Sequence, residues 1–180
     1  ILPGVDGGTL GNPEHLQDKF INRNEEQRFS GGINLEYSIL PSLKFLASGS
    51  GFMRYTTAES FTKLFQNGTG GAINSTRASS FGNQRTYQYT YNGFLQYDKV
   101  FDKHALTVLG GAEFYDFRVY DYSASANGAA TDFITYLNAA STAVGVPSSS
   151  FSSWNRLASA IGRINYDFDS RILLTANFRY

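Results

Sequence analysis

Apolar and polar residues alternate strictly along residues 28–39. The odd positions of this segment are Phe29, Gly31, Ile33, Leu35, Tyr37 and Ile39, whereas the even positions are polar residues and Gly32. Successive side chains of a strand point to opposite faces, so the alternation predicts a strand with one apolar and one polar face. A soluble strand usually has about 5–6 residues, while a tilted membrane-crossing strand needs about 9–11. The length of the run therefore indicates a membrane-crossing strand.

Five further segments continue this pattern and predict six antiparallel strands in an open, curved sheet. They are residues 43–55, 85–100, 105–120, 158–168 and 171–180. Leu46 and Phe52 interrupt the alternation in the second segment. We expect Ile33, Leu35, Leu95, Ile164, Leu174 and Phe178 to face lipid. The fold class predicted is all-β, an antiparallel segment of a transmembrane β-barrel.

The connections between these segments are alternately short and long. Short turns at Pro41, Asp102 and Asp169 close predicted hairpins over residues 28–55, 85–120 and 155–180. Long polar stretches cover residues 56–84 and 121–154, and residues 1–27 are predicted to form a loop with a short helix starting at Asn12. Outer-membrane barrels have short periplasmic turns and longer extracellular loops, so we expect the long stretches to be extracellular. Aromatic residues on the apolar face just before the short turns fit an interfacial girdle: Tyr37, Tyr97, Tyr166 and Phe168.

The composition gives no indication of enzymatic chemistry. The 180 residues contain 15 Lys and Arg, 15 Asp and Glu, no Cys, and only the histidines His15 and His104. The balanced charge gives no attraction to nucleic acid, and we expect no catalytic residues, no metal and no cofactor. His104 is predicted to be a solvated turn residue, and a ligand role is not expected for His15. The absence of a signal peptide before Ile1 and the end at Tyr180 within a strand suggest an internal fragment, since six strands cannot close a membrane barrel.

The polar faces of the predicted strands would line the lumen of such a barrel. The lumen-facing candidates are Glu36, Lys44, Arg54, Asn92, Asp98, Glu113, Arg163, Asp167, Arg171, Asn177 and Arg179. Each is expected mainly to pair with another of these residues or with a domain inside the barrel, and only secondarily to contact substrate.

The second long stretch contains a helical pattern. Phe133, Tyr136, Leu137 and Ala140 recur at helical spacing within residues 131–143, and Thr131 or Asp132 is a suitable N-cap. We expect a short amphipathic helix whose apolar side packs against other loops or against a partner protein. Phe133, Tyr136, Leu137 and Trp154 are therefore candidates for contact with a partner or substrate.

Several segments resemble the SusC/RagA family of TonB-dependent outer-membrane transporters from Bacteroidetes. The resemblance covers the strands from about Arg28 onward, and the segments that carry it are residues 32–45, GINLEYSILPSLKF; 97–106, YDKVFDKHAL; 108–113, VLGGAE; and 162–174, GRINYDFDSRILL. It implies a barrel of 22 strands, of which this piece would be a central section. It also implies an N-terminal plug domain and a TonB-contacting segment, both outside this sequence, and a SusD-type surface lipoprotein as partner.

The resemblance implies active import of oligosaccharides or oligopeptides, driven through TonB. Two alternatives remain open from the residues alone. A passive porin or an adhesin barrel has the same strand pattern, because that pattern carries no information on energy coupling. A soluble β-sandwich binding module is a further alternative, although its strands are shorter and its loop lengths need not alternate.

Overall fold

The computed structural model describes residues 17–66, 73–145 and 147–180. In these ranges the elements are nine strands and one 3₁₀ turn, Leu137–Ala139. The strands are β1 Phe20–Leu40, β2 Leu43–Thr62, β3 Phe65–Gln66, β4 Ile73–Asn74, β5 Ala78–Phe101, β6 His104–Ala129, β7 Ala140–Ala143, β8 Ser148–Phe168 and β9 Ile172–Arg179.

Six long strands form one sheet in the order β1-β2-β5-β6-β8-β9. Each long strand lies next to its neighbours in the chain, as expected for consecutive antiparallel hairpins. The pairing of β8 with β9 runs from Ile161↔Arg179 to Phe168↔Ile172. Short β7 pairs with the distal end of β6, and β3 with β4 forms a separate two-stranded ribbon. The predicted all-β antiparallel fold with six main strands is confirmed, and within the described residues the sheet does not close into a barrel.

Most of the strands are longer than their alternating patterns predict. β2 continues to Thr62, β5 starts at Ala78 and β6 continues to Ala129, so all three enter stretches predicted as loops. β1 likewise starts at Phe20 rather than Arg28. Ladder hydrogen bonds can continue a strand where neither face needs to be apolar, and such a continuation leaves no alternation in the sequence.

The tight turns between β5 and β6 and between β8 and β9 contain residues in the left-handed backbone conformation. Asp102 has φ 51°, and Asp169 and Ser170 have φ 52° and 54°. Asp tolerates this region better than most residues because its short side chain bonds to nearby backbone. In the β8–β9 turn, the Ser170 amide donates to Asp167 Oδ1 over 2.9 Å. Pro41 and Ser42 form the β1–β2 turn without a positive φ.

The predicted helix over residues 131–143 is wrong. The Thr131 hydroxyl does accept hydrogen bonds from the amides of Phe133 and Ile134, both at 3.3 Å, as a helix cap would. The chain then forms only the 3₁₀ turn at Leu137 and continues as β7 along β6. Pairing with an available strand satisfies more backbone groups than an isolated helix of this length, which is marginal in water. The helix predicted at Asn12 and the residue His15 lie outside the described residues.

The described residues form two compact units. The first consists of the described parts of Ile1–Gln27, Tyr55–Arg85 and Tyr120–Phe151, and the second of Arg28–Arg54, Thr86–Val119 and Ser152–Tyr180. In the second unit large apolar residues remain exposed even on interior strands, with Leu95 and Ile164 each 48% exposed. A soluble domain of this size would bury such residues in a core. The exposure therefore disfavours the soluble sandwich.

Candidate functional site

The polar face of the second unit carries a line of hydrogen bonds that crosses five strands. Ser48 on β2 donates to Asn92 on β5 over 3.0 Å, and the Asn92 amide nitrogen, in the orientation that satisfies both ends, donates to Glu113 over 3.2 Å. Arg179 on β9 donates to Glu113 over 2.6 Å and to Ser159 of the intervening β8 over 3.2 Å. We call these five residues the polar line. The two charges in it, Glu113 and Arg179, pair directly. Ser159 bonds to Arg179, and Asn92 and Ser48 continue the line beyond Glu113.

The other lumen-facing candidates lie in smaller pairs on the same unit. Lys44 donates to Glu36 over 2.7 Å, and Arg163 donates to Asn177 over 2.9 Å. Asp98 accepts from Thr107 and from Gln96, each over 2.7 Å. Arg54 lies beside Thr86, with 3.5 Å between the two polar atoms.

Each of the eleven lumen-facing candidates thus has a polar neighbour. For Asp167 and Arg171 these neighbours are the Ser170 amide and the Asp169 carboxylate. Among the described residues these pairs give the face a surface of hydrogen-bonded charges, which favours a hydrated environment. Within residues 17–66, 73–145 and 147–180, His, Asp and Glu side chains do not gather in the groups of three that would suggest a metal site. That this face lines a barrel lumen remains a prediction.

The apolar face of the second unit is built from small and aromatic residues packed across strands. The site of a Cβ on Gly49 lies 3.4 Å from the ring of Tyr91 and 3.9 Å from Ile33. The Tyr91 ring stacks on Phe114 with 6.5 Å between centroids. Glycine opposite an aromatic ring lets the ring lie flat along the sheet, which covers backbone without adding thickness. The result is a smooth apolar surface that the described residues leave uncovered.

An aromatic cluster lies at the end of this face next to the short β5–β6 and β8–β9 turns. His104 Nδ1 lies 2.6 Å from the Tyr166 hydroxyl, and the His104 ring is 5.2 Å from Phe101 and 5.0 Å from Phe168 between centroids. The prediction that His104 is a solvated turn residue is wrong, because β6 begins at His104 and turns its ring toward β8. Tyr166 and Phe168 do lie here together, as the predicted girdle requires.

A second cluster, at the far end of the same strands, combines charge with an aromatic ring. Asp116 accepts from Arg118 Nη2 over 2.6 Å and from Arg156 Nε over 3.1 Å. The guanidinium carbons of Arg156 and Arg118 lie 4.0 Å and 5.6 Å from the centre of the Trp154 ring. We call these four residues the Arg–Trp cluster. Trp154 lies within strand β8 and not in the long loop in which it was predicted.

The Arg–Trp cluster was not anticipated from the sequence, although a signal for it exists. Asp116 and Arg118 follow Phe114 at even spacing on β6, and Trp154 and Arg156 precede Ala158 at even spacing on β8. Alternation places all four on the apolar face. Charged residues in phase with an apolar face mark the point where that face ends, and the ionic contacts between the two strands confirm that the four side chains share it.

The loop part of the first unit contains a cavity of about 490 Å³. Tyr136 and Leu137 line it together with Phe81, Glu59 and Pro147. Arg77 anchors the loop by donating to Asp132 Oδ1 over 2.6 Å and to the Ala129 carbonyl over 3.3 Å. Phe133, by contrast, projects from the loop and is 95% exposed.

The two groups of loop candidates are thereby separated. Tyr136 and Leu137 contribute to the cavity, whereas Phe133 presents its ring to the outside.

In the described part of the chain, no helix has the length and apolar character to cross a membrane.

Comparison with known proteins assigns the fold. The chain is 24% identical over 176 residues to the TonB-dependent receptor P3 of Formosa agariphila. The aligned region covers 96% of this chain and 17% of that protein. No family model matches the chain. A solved structure of the RagAB peptide transporter superimposes with a TM-score of 0.81 at 18% identity, covering 94% of this chain and 19% of that one. The RagAB peptide importer in its "open-open" state gives a TM-score of 0.80 at 18% identity, covering 94% and 18%.

The chain therefore has the fold of a β-barrel segment of a SusC/RagA-like, TonB-dependent transporter. It spans about a fifth of the length of the proteins that it matches. The resemblance predicted from residues 32–45 and the later segments is confirmed at this level.

Proposed function

We propose that this chain is part of the barrel wall of an outer-membrane, TonB-dependent importer of oligosaccharides or oligopeptides. The observation that carries the proposal is the two-faced sheet. One face is apolar and uncovered, as lipid contact requires, and the other is a hydrogen-bonded polar surface suited to a hydrated lumen. The similarity to a TonB-dependent receptor and to the fold of a peptide importer supports the transport class.

The polar line would serve the importer as a fixed wall against which a plug or a substrate rests. Its polar groups are paired with one another, so the wall needs no ligand to satisfy them. A polar substrate can exchange hydrogen bonds with such a surface at little net free energy, which suits passage more than tight binding. The proposal places substrate selection in the loops and in segments beyond this chain.

A SusD-type lipoprotein is the proposed partner, and TonB is the proposed source of energy through a segment beyond this chain. The loop around Phe133 is the proposed contact for the lipoprotein. The supporting observation is an aromatic ring that projects fully from a loop that Arg77 anchors. An exposed aromatic residue on a held loop is typical of protein contact sites.

The test is uptake by cells that carry or lack the full-length gene. Labelled oligopeptides and oligosaccharides should accumulate only in cells with the gene, and a protonophore or loss of TonB should abolish the uptake. Uptake that persists without TonB would favour the passive porin. Recovery of the full-length protein in the soluble fraction would contradict the whole proposal and favour a soluble module.

The choice between the two substrate classes follows from the same assay. The structural relatives are described as peptide transporters, which gives oligopeptides a specific precedent. The lumen residues on this chain favour neither class, since Asn, Ser, Arg and Glu form hydrogen bonds with sugars and peptides alike. Competition by unlabelled peptide mixtures against labelled oligosaccharide distinguishes the two.

A further inference from the structure

The cavity in the loop part of the first unit has the size and lining of a ligand pocket. Its volume is about 490 Å³, and small-ligand pockets range over roughly 300–1,000 Å³. Such pockets are mostly apolar and contain a few polar groups that orient the ligand. Among the described residues that line this cavity, apolar and aromatic side chains predominate and Glu59 alone is charged. The surroundings of this carboxylate therefore decide which ligand the cavity accepts.

The floor of the cavity is formed by neighbouring strands of the sheet. Ser60 and Ser80 share a hydrogen bond of 2.7 Å across β2 and β5. In this antiparallel register Glu59 lies opposite Phe81, and side chains opposed in this way have Cβ atoms about 4.5–5.5 Å apart. Ala124 of the next strand, β6, lines the same cavity. The carboxylate of Glu59 is thus set among apolar groups.

The charge of Glu59 has no counter-ion among the described residues. Two cations of the same unit are engaged elsewhere, Lys63 with Asp18 over 3.1 Å and Arg77 with Asp132 over 2.6 Å. Glu59 is partly buried, and it makes neither a hydrogen bond nor an ion pair within the described ranges. A carboxylate in such a position has lost part of its hydration without gaining a partner. A cation that enters the cavity would supply that partner.

The roof of the cavity is held at both ends. At the start of the loop, Arg77 is joined to Asp132 by an ion pair of 2.6 Å. At the other end, β7 pairs with β6. Tyr136 and Leu137 lie between these two attachments and line the cavity from the loop side. A ligand therefore enters a cavity whose walls are already in place, which lowers the entropy cost of binding.

A cation on an apolar stem matches both properties of the cavity. Basic side chains are of this kind, because their methylene groups can lie along apolar surface while the charged end reaches a carboxylate. A cation is also attracted to the face of an aromatic ring, and Phe81 and Tyr136 supply two rings. A neutral sugar would leave the charge of Glu59 without a counter-ion.

We propose that this cavity binds the basic side chain of an oligopeptide substrate, with Glu59 as the residue that selects for its charge. The inference rests on the proposed function, which places the long loops at the cell surface, where substrate arrives. It deepens that function, because it favours oligopeptides over oligosaccharides as the substrate class. Phe81 and Leu137 supply the apolar contact for the stem of the side chain.

The test is peptide binding to the full-length protein, purified in detergent and measured by isothermal titration calorimetry. The probes are end-blocked heptapeptides of alanine that differ only in the central residue, which is lysine, acetyl-lysine or glutamate. Blocked ends make the central side chain the only possible charge, and acetyl-lysine keeps the apolar stem but not the charge. The test variant is Glu59→Gln. Glu25→Gln is the matched control, because it removes the same charge from an exposed position on β1.

We expect the wild-type protein to bind the lysine peptide about tenfold more tightly than the acetyl-lysine peptide, as for a hydrogen bond to a charged group. The glutamate peptide should bind most weakly. Glu59→Gln should raise the Kd of the lysine peptide to that of the acetyl-lysine peptide, whereas Glu25→Gln should keep the tenfold preference. A second variant, Leu137→Ala, should weaken both of these peptides alike, by about threefold or more, because it shortens the apolar contact and leaves the carboxylate.

Four outcomes would overturn the proposal. The first is a wild-type protein that does not distinguish lysine from acetyl-lysine, and the second is a preference for lysine that persists in Glu59→Gln. The third is an equal loss of preference in Glu25→Gln, which would indicate an effect of net charge and not of the cavity. The fourth is unchanged peptide binding in Glu59→Gln together with reduced co-purification of the lipoprotein, which would assign the cavity to the partner.

Failure of this inference is distinguishable from failure of the proposed function. The binding assay requires neither TonB nor a membrane potential. Uptake that is independent of TonB would therefore contradict the transport mechanism while the preference for lysine is still measured. Equal binding of the lysine and acetyl-lysine peptides, with uptake intact, would contradict the site alone.

Discussion

Arg179 Nη2 lies 2.6 Å from Glu113 Oε1, although strand β8 separates the strands that carry these two residues. The Arg179 side chain passes over Ser159 of β8 and donates to its hydroxyl on the way. Neighbouring strands are about 4.8 Å apart, so only a side chain as long as Arg can connect second neighbours across a sheet. This ion pair is the point where the polar line reaches the edge strand β9.

The ion pair is expected to contribute little to stability. Its side chains are 58% and 28% exposed, and exposed ion pairs typically contribute about 0.2–1 kcal/mol. A double-mutant cycle of Arg179→Gln and Glu113→Gln, measured by urea unfolding of the full-length protein in lipid vesicles, should give a coupling free energy in this range. A coupling of several kcal/mol would mean that a plug domain buries the pair.

The adjacent residues Gly110 and Gly111 are expected to respond oppositely to substitution by Ala. A Cβ on Gly111 would overlap the Gly93 carbonyl and the Phe94 ring, whereas a Cβ on Gly110 would meet nothing within 4 Å. Gly111→Ala should therefore destabilise the protein by about 1–3 kcal/mol, the range for overpacking, and Gly110→Ala should be neutral or stabilising. Unfolding free energies of the two variants check this, and equal values would show that β5 and β6 approach each other less closely.

Gly110 also offers a measurement of the membrane environment. It lies 6 residues from both His104 and Asp116 and is therefore at mid-height between the two clusters. Gly110→Arg should unfold more easily in lipid than Gly110→Leu, by roughly 2–4 kcal/mol if the position is at the bilayer midplane. At Leu174, which pairs with Tyr166 near the boundary, the corresponding Arg substitution should cost only about 0–1 kcal/mol.

The control for this depth series is Thr175→Arg, one residue along on the polar face. It should be tolerated in lipid, because a polar lumen accepts a charge. Equal costs at Gly110, Leu174 and Thr175 would contradict the assignment of the two faces.

The sequence predicts the parts of this fold with alternating residues well and the distal parts of the strands poorly, for a physical reason. Where one face must be apolar, alternation identifies both the strand and the orientation of its side chains, as at Ile33 and Glu36. Beyond that zone β5 and β6 continue on backbone pairing alone, which accepts almost any residue. The strand ends at Ala78 and Ala129 therefore have no counterpart in the pattern.

The candidate site shows the same limit. Residues such as Lys44 and Arg163 are predicted to lie on the polar face from alternation, and their partners Glu36 and Asn177 lie on the same face. The long connection from Glu113 to Arg179 skips a strand, which no local pattern reveals. The helix predicted over residues 131–143 is wrong because the helical spacing of Phe133, Tyr136 and Leu137 carries no information about the neighbouring strand. The end of β6 offers backbone groups with which this segment can pair. Pairing with that stretch prevailed over helix formation.

Although the loop is not helical, its exposed apolar residues still predict a partner contact. Phe133 is 95% exposed and Ile134 is 51% exposed, and fully burying such a side chain contributes about 1.5–3 kcal/mol. The double variant Phe133→Ser and Ile134→Ser should therefore reduce co-purification of a SusD-type lipoprotein with the full-length protein, while the protein still folds as judged by its mobility on unheated gels. Ile73→Ser is the matched control, because Ile73 is a similarly exposed apolar residue on the β3–β4 ribbon. If the lipoprotein co-purifies undiminished with the double variant, the loop does not hold the partner; if Ile73→Ser has the larger effect, the contact lies on the ribbon instead.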